Sequence, residues 1–186
     1  MKNLDLTGHF LIAMPAMDDP EFQQTVTYMC AHSNEGAMGI VINRPMQIEL
    51  GEILSQMELA PENSEIEQTQ VFLGGPVQQD RGIIIHEPPT SWDSTINVTD
   101  NLGVATSKDI LEAISKGDGP KKSLVALGYA SWGTGQLEKE LAENIWLSAP
   151  ADESIIFDTP PEKRWKKATE LLGFDLYQIS RDIGHA

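Results

Sequence analysis

The chain has a single cysteine, Cys30, so no intrachain disulfide can form. With no paired Cys-x-x-Cys and no His-Glu-x-x-His, it also lacks a zinc signature. Basic residues are scarce: 13 Lys and Arg against 28 Asp and Glu give a net charge of −15. That balance argues against a long, unspecific grip on nucleic acid and against adhesion to an anionic membrane. No apolar run approaches the roughly 20 residues needed to cross a bilayer. The start Met1-Lys2-Asn3-Leu4-Asp5 has no basic stretch leading into an apolar core, so no signal peptide is expected. Together with the lone cysteine this makes a reducing cytoplasm the expected location. No Gly-Lys-Ser/Thr follows any glycine-rich turn, which excludes a phosphate loop. There is no internal repeat, low-complexity tract or interdomain linker. What remains is a 186-residue chain, 40% apolar, long enough to bury a full core, and the expectation is one domain over residues 1–186.

The chain is organised around Val71-Phe72-Leu73-Gly74-Gly75-Pro76-Val77 and Gly82-Ile83-Ile84-Ile85-His86-Glu87-Pro88. Two short, unbroken apolar runs bracket a Gly-Gly-Pro turn and the polar segment Gln78 to Arg81. Such runs suit strands buried on both faces. Gly74 and Gly75 admit backbone angles closed to other residues, and Pro76 lacks an N–H, so the first strand stops at Gly74. The pair either packs the strand exit tightly against a neighbouring element or lets a ligand approach.

Upstream, His9 to Met14, Thr25 to His32 and Ala37 to Asn43 read as strands, the last two forming a hairpin around Asn34-Glu35-Gly36. Glu21 to Gln24 suits one helical turn. All seven methionines lie at or before Met57, and filling core gaps is their expected use. Leu50, Ile53, Leu54 and Met57 make one apolar face of a short helix, with Glu49, Glu52 and Glu58 outward. Residues 60–68 read as a polar surface connection.

Downstream, Ser94 to Val98 and Leu102 to Thr106 read as short strands. Thr106-Ser107 caps a helix ending at Gly117. Ser123 to Tyr129 is a central strand followed by a glycine-rich turn from Ala130 to Gly135. Gln136 to Asn144 is a helix and Ile145 to Leu147 a strand. The last helix starts with a Thr159/Glu162 capping box and Pro160, and Trp165, Ala168, Leu171 and Leu172 form its inward stripe. Strands and helices mix irregularly, which favours α+β over a doubly wound sheet.

Asn43-Arg44-Pro45, Gly74-Gly75-Pro76 and Tyr129 to Gly135 each follow an apolar strand. If those strand ends converge, Asn43, Arg44, Gly74, Gly75, Pro76, His86, Trp132, Gly135 and Glu138 line one cleft. His86 is the best general-base candidate, with Glu138 or Asp158 as orienter, although a ring satisfied by backbone groups is the simpler role. Cys30 and His32, two apart on a strand, share a face but do not make a metal site. Cys30 reads as buried and inert. Ser131 is not in a nucleophile elbow. Trp132 and Trp146 serve equally well as core anchors. Lys163-Arg164 with Lys166-Lys167 reads as the solvated face of the last helix.

Several segments resemble one bacterial family in order along nearly the whole chain. They are Met38-Gly39-Ile40-Val41-Ile42-Asn43-Arg44-Pro45, then Phe72-Leu73-Gly74-Gly75-Pro76-Val77 with Ile85-His86. Ala126 to Trp132 follows, running into Gly135-Gln136-Leu137-Glu138, Asn144 and Trp146, and finally Gly184-His185-Ala186. Together they resemble the YqgE/AlgH family. Ser131 departs from the glycine usual there. The resemblance implies a single α+β domain with a mixed, bifurcated sheet that curls into a partial barrel with flanking helices. It implies a cytosolic protein and no known reaction; one branch is linked to regulation of alginate gene expression, which can be indirect. The leading expectation is a non-enzymatic protein that binds a protein or small-molecule ligand, without a cofactor or metal. The alternatives are a hydrolase using His86 with an acidic partner, and a direct DNA-binding regulator, which the charge disfavours. The sequence sets no oligomeric state.

Overall fold

Apolar runs buried on both faces, which the sequence presents several times, account for most of the strands. The computed structural model describes residues 4–176. Along them run β1 (His9–Ala13), β2 (Val26–Ser33), β3 (Gly36–Val41), β4 (Pro45–Glu49), α1 (Leu50–Gln56), α2 (Ser64–Glu67), β5 (Gln70–Leu73) and β6 (Val77–Glu87). Then come β7 (Thr95–Asn97), β8 (Gly103–Ala105), α3 (Lys108–Ser115), β9 (Lys122–Trp132), α4 (Gln136–Ala142), β10 (Trp146–Pro150), α5 (Glu153–Phe157) and α6 (Pro161–Glu170). The described residues form two compact units, 4–43 with 130–176, and 44–129. Strand β9 gives its last three residues to the first unit and the rest to the second.

In the first unit the strands run β10-β1-β2-β3 and then the end of β9, all antiparallel. Ala13 faces Trp146, Phe10 faces Tyr28, and Ala37 faces Trp132. Strand β1 is buried on both sides, which is why it reads as an unbroken apolar run. One cluster gathers Leu11, Ala13, Met29, Ala130, Trp132 and Trp146 with Leu137 of α4. Gly36 is required where it stands: its φ is +142° and a Cβ would run into the Trp132 carbonyl oxygen.

Helix α6 is tied to this unit by two buried donors. Trp165 Nε1 donates to Ala13 O at 3.0 Å. The Arg164 guanidinium donates to Ile42 O, and its Nε to Thr159 O at 2.8 Å. Arg164 is therefore buried, not part of a solvated basic face, and burial lowers its pKa to about 10. The expected Thr159 cap does not form: Pro160 is the N-cap, and Thr159 Oγ1 donates to Ser154 O. The helix ends at Glu170, so Leu171 falls past the inward stripe and is exposed. Helix α5 was not expected; Asp152 caps it by accepting from Ser154 N at 2.9 Å.

In the second unit β9 lies between β5 and β6. Its pairing with β5 is parallel (Val71 opposite Val125), whereas β6–β9, β6–β8, β7–β8 and β4–β5 are antiparallel. Leu50, Leu54, Val71, Ile84, Ala105, Ile110 and Val125 form the core, with α1 and α3 supplying their apolar faces. Glu49 N donates to the Glu52 carboxylate at 2.9 Å to start α1. At α3, Asp109 does the capping work expected of Ser107: it accepts from Ile110 N and from the Ser107 hydroxyl. Gln78 to Arg81 belongs to β6 rather than to a connection. Val77 faces Tyr129 and Gly82 faces Leu127, so four residues of β6 bulge opposite Gly128 alone. The chain thus has the expected α+β class and a mixed sheet, branched at β9, whose early residues pair with β5 and β6 and whose last three pair with β3.

Candidate functional site

Three aromatic rings in the first unit border a cleft. Trp132 ends β9, Trp146 begins β10, and Phe22 lies in the turn between β1 and β2. Trp132 and Trp146 meet edge to face at 6.1 Å, and Phe22 and Trp146 at 5.5 Å. Asp19 sets the turn that delivers Phe22, with its carboxylate accepting from Glu21 N and its carbonyl from Phe22 N and Gln23 N. Helix α4 supplies the opposite wall. Gln136, Glu140 and Glu143 recur at helical spacing and face the cleft, while Leu137 is buried in the core. Met14 and Met17 complete an adaptable apolar lining.

The cavity is about 550 Å³, within the range of small-molecule sites. Its wall carries four carboxylates, Asp18, Asp19, Glu140 and Glu143, and no lysine, arginine or histidine. Two polar atoms of its lining residues, Trp146 Nε1 and Glu140 Oε2, are buried without a hydrogen-bond partner among the described residues. Trp146 is only 2% exposed. A buried donor or acceptor without a partner costs its lost hydration.

Of the residues expected to form a site, Trp132 lines this cleft, alongside Ser131. Gly135 caps α4 with φ +75°, and nothing lies within 4 Å of the place a Cβ would take. Glu138 lies on another face of α4, where its carboxylate accepts from His32 Nε2 at 2.6 Å. His32 Nδ1 accepts from Leu6 N at 3.0 Å, which fixes the proton on Nε2 and engages both ring nitrogens. The hydrogen bond from His32 holds the Glu138 carboxyl below its ordinary pKa. Cys30, on the same strand, is buried, and burial pushes its thiol up to about 12. Asn43 is a brace: its side chain accepts from Val26 N and donates to Gln24 O.

The other expected residues belong to the second unit and are packed by it. Arg44 O accepts from Leu73 N, and Gly74 N donates to Leu127 O, both at 2.8 Å. Gly75 precedes Pro76, and its carbonyl oxygen sits 2.5 Å from where a Cβ of Gly128 would be. The Gly-Gly-Pro turn is therefore filled by the backbone of β9. His86 is fully buried; Nδ1 donates to Pro88 O at 2.9 Å, and the ring lies against Gly103. His86 Nε2 has no partner among the described residues. The Gly184-His185-Ala186 ending lies outside the described residues. Phe22, Asp18, Asp19, Glu140 and Glu143 escaped the sequence reading; the spacing of Gln136, Glu140 and Glu143 was the available signal.

Among the described residues no helix is long and apolar enough to cross a membrane. The family model described as DUF179, AlgH-like, matches residues 10–177. A UPF0301 protein of Nitrosococcus oceani is 52% identical over 179 residues, covering 96% of each chain. A UPF0301 protein of Thiobacillus denitrificans is 50% identical over 187 residues, the full length of both. The solution structure of the AlgH protein from Pseudomonas aeruginosa superposes with a TM-score of 0.81 at 47% identity, covering 97% of each chain. A crystal structure of a Corynebacterium diphtheriae protein, 20% identical, shares the fold with a TM-score of 0.69 over 89% of this chain and 86% of that one. The chain belongs to the AlgH-like family.

Proposed function

We propose that the chain is a cytoplasmic, non-enzymatic binding protein whose cleft between Phe22, Trp132 and Trp146 receives a small ligand or a short segment of a partner. The observation that carries this reading is the cavity of about 550 Å³ bordered by Phe22, Trp132 and Trp146 and faced by the polar side of α4. Catalysis finds less support there. Ser131 is the one hydroxyl nucleophile type on the wall besides the carboxylates, and no histidine or lysine lines the cavity to activate it. The hydrolytic alternative rests on His86 Nε2, which is enclosed against Gly103. An effect on gene expression would run through the bound ligand or partner, because a net charge of −15 opposes direct DNA contact.

Native mass spectrometry of the protein gently isolated from its own cells tests the reading. The wild type is expected to carry an added mass that Trp146→Phe and Trp132→Leu hold less well, since each trims the aromatic border of the cleft. A bare chain in every sample, or an adduct that both variants hold as well as the wild type, contradicts it. A circular dichroism melt of each variant confirms that the fold survives.

A further inference from the structure

We infer that strand β7 is the edge through which two copies of this chain pair, antiparallel, across a two-fold axis at Ile96. Strand β7 ends its sheet and pairs with β8 alone. Val98 N donates to Leu102 O and Thr106 N to Ser94 O. Ser94, Ile96 and Val98 therefore turn their backbone groups toward the β8 side. Thr95 and Asn97 alternate with them and aim their backbone N–H and C=O outward, where they meet no hydrogen-bond partner among the described residues. Such a row of donors and acceptors is a template for another strand, and charged side chains or prolines normally blunt it. Neither is present here: residues 94–99 read Ser-Thr-Ile-Asn-Val-Thr. Ile96 is 50% exposed, and the other large exposed apolar residues, Leu4, Leu171 and Phe174, lie outside the strands.

The edge fits a second copy of itself. An antiparallel pair centred on Ile96 sets Thr95 opposite the partner's Asn97, and Asn97 opposite the partner's Thr95. Both residues of each pair carry outward groups, so each pair exchanges two hydrogen bonds. Ile96 then meets the partner's Ile96 in the closer, non-hydrogen-bonded position, and the two exposed side chains cover each other on one face of the sheet. The same register sets Asp93 opposite the partner's Thr99 and Asp100 opposite the partner's Trp92. No carboxylate meets another across the seam, although each chain carries a net charge of −15. This short seam lies below the roughly 1,200 Å² that stable complexes bury, so the pairing is reversible and populates at high protein concentration. Long-range repulsion between two acidic chains opposes it, and salt screens that repulsion.

The test is sedimentation velocity of the full chain from about 10 μM to about 1 mM, in low salt and in about 0.5 M sodium chloride. The average mass is expected to rise toward two chains, and to rise further in high salt. Ile96→Lys removes the apolar contact and sets two ammonium groups opposite each other. It also lowers the net negative charge, which by itself favours association, yet it is expected to stay monomeric. Leu171→Lys makes the same charge change on the first unit and is expected to pair like the wild type. Both side chains are exposed, and circular dichroism melts confirm the folds. Amide exchange of nitrogen-15-labelled protein then locates the contact: Thr95 and Asn97 are expected to exchange about tenfold more slowly at high concentration. The same spectra are recorded at low concentration with a valine-rich peptide that has lysines at both ends. A wild type that stays monomeric in high salt overturns the inference. So does a dimer that Ile96→Lys retains, or one that leaves Thr95 and Asn97 exchanging as before. Protection of these amides by the peptide in a chain that never pairs overturns the second copy and gives the edge to a basic, extended partner.

Discussion

At Gly128 strand β9 is pressed against the Gly75 carbonyl, with no room for a methyl group, whereas at Trp132 the same strand borders a cavity of about 550 Å³. Both stretches are rich in glycine and follow apolar runs. The difference lies in what meets them. The Gly-Gly-Pro turn meets backbone, and Gly128 lets the two chains come close. Around Trp132 the neighbours are large rings set edge to face, which cannot collapse onto one another, and a helix whose cleft-facing side is polar. Glycine-rich turns are therefore poor markers of a cavity by themselves.

The sharpest way to break this comparison is to add a methyl group on each side of it. Gly128→Ala places a Cβ 2.5 Å from Gly75 O at φ +78° and should cost about 3 kcal/mol or more. Gly135→Ala has a similar φ of +75° but open space, and should cost only about 1 kcal/mol. Urea unfolding of both variants checks the pair; equal losses would mean that the two turns are packed alike. Between them in size falls Arg164→Met, which leaves Ile42 O and Thr159 O without their donor. A loss of about 2 kcal/mol is expected in the same urea unfolding.

The smallest effect sharpens the contrast within α4, which turns Glu140 to the cleft and Glu138 to His32. The folded-state pKa of Glu138 is lowered, so its stabilisation is complete above the ordinary carboxylate pKa of about 4.3 and is lost as pH falls through the lowered folded value. Glu138→Gln lacks that dependence. The stability difference between wild type and variant should be steady near neutral pH and shrink under acid, as thermal melts across that range would record. A difference independent of pH would remove the His32 bond as its cause.

Much of the fold could be read directly. Strand β1 is buried on both faces and appears as an unbroken apolar run, and the first half of β2 and Leu124 to Ala126 of β9 are likewise buried. The limits of β6 could not, because Gln78 to Arg81 bulge outward as polar residues within one strand. Helix α5 is too short to show a period. Trp165 and Ala168 were legible on α6 from their spacing, but Arg164 was not, since its partner Ile42 O is 122 residues away. The site followed the same division. Trp132 was visible, as a large aromatic at a strand end. Pairing Glu138 with His32 rather than His86 depends on a tertiary contact between residues 106 apart, which no local pattern carries.

The central claim, that binding falls at the Trp132/Trp146 cleft and not at the Gly-Gly-Pro turn, is tested most directly by one spectrum. The labelled protein is mixed with a small-molecule extract of its own cells. The account predicts that the Trp146 indole signal moves while the backbone signals of residues 71–77 and 128 stay in place. Movement of the second set with the Trp146 signal unchanged would contradict it.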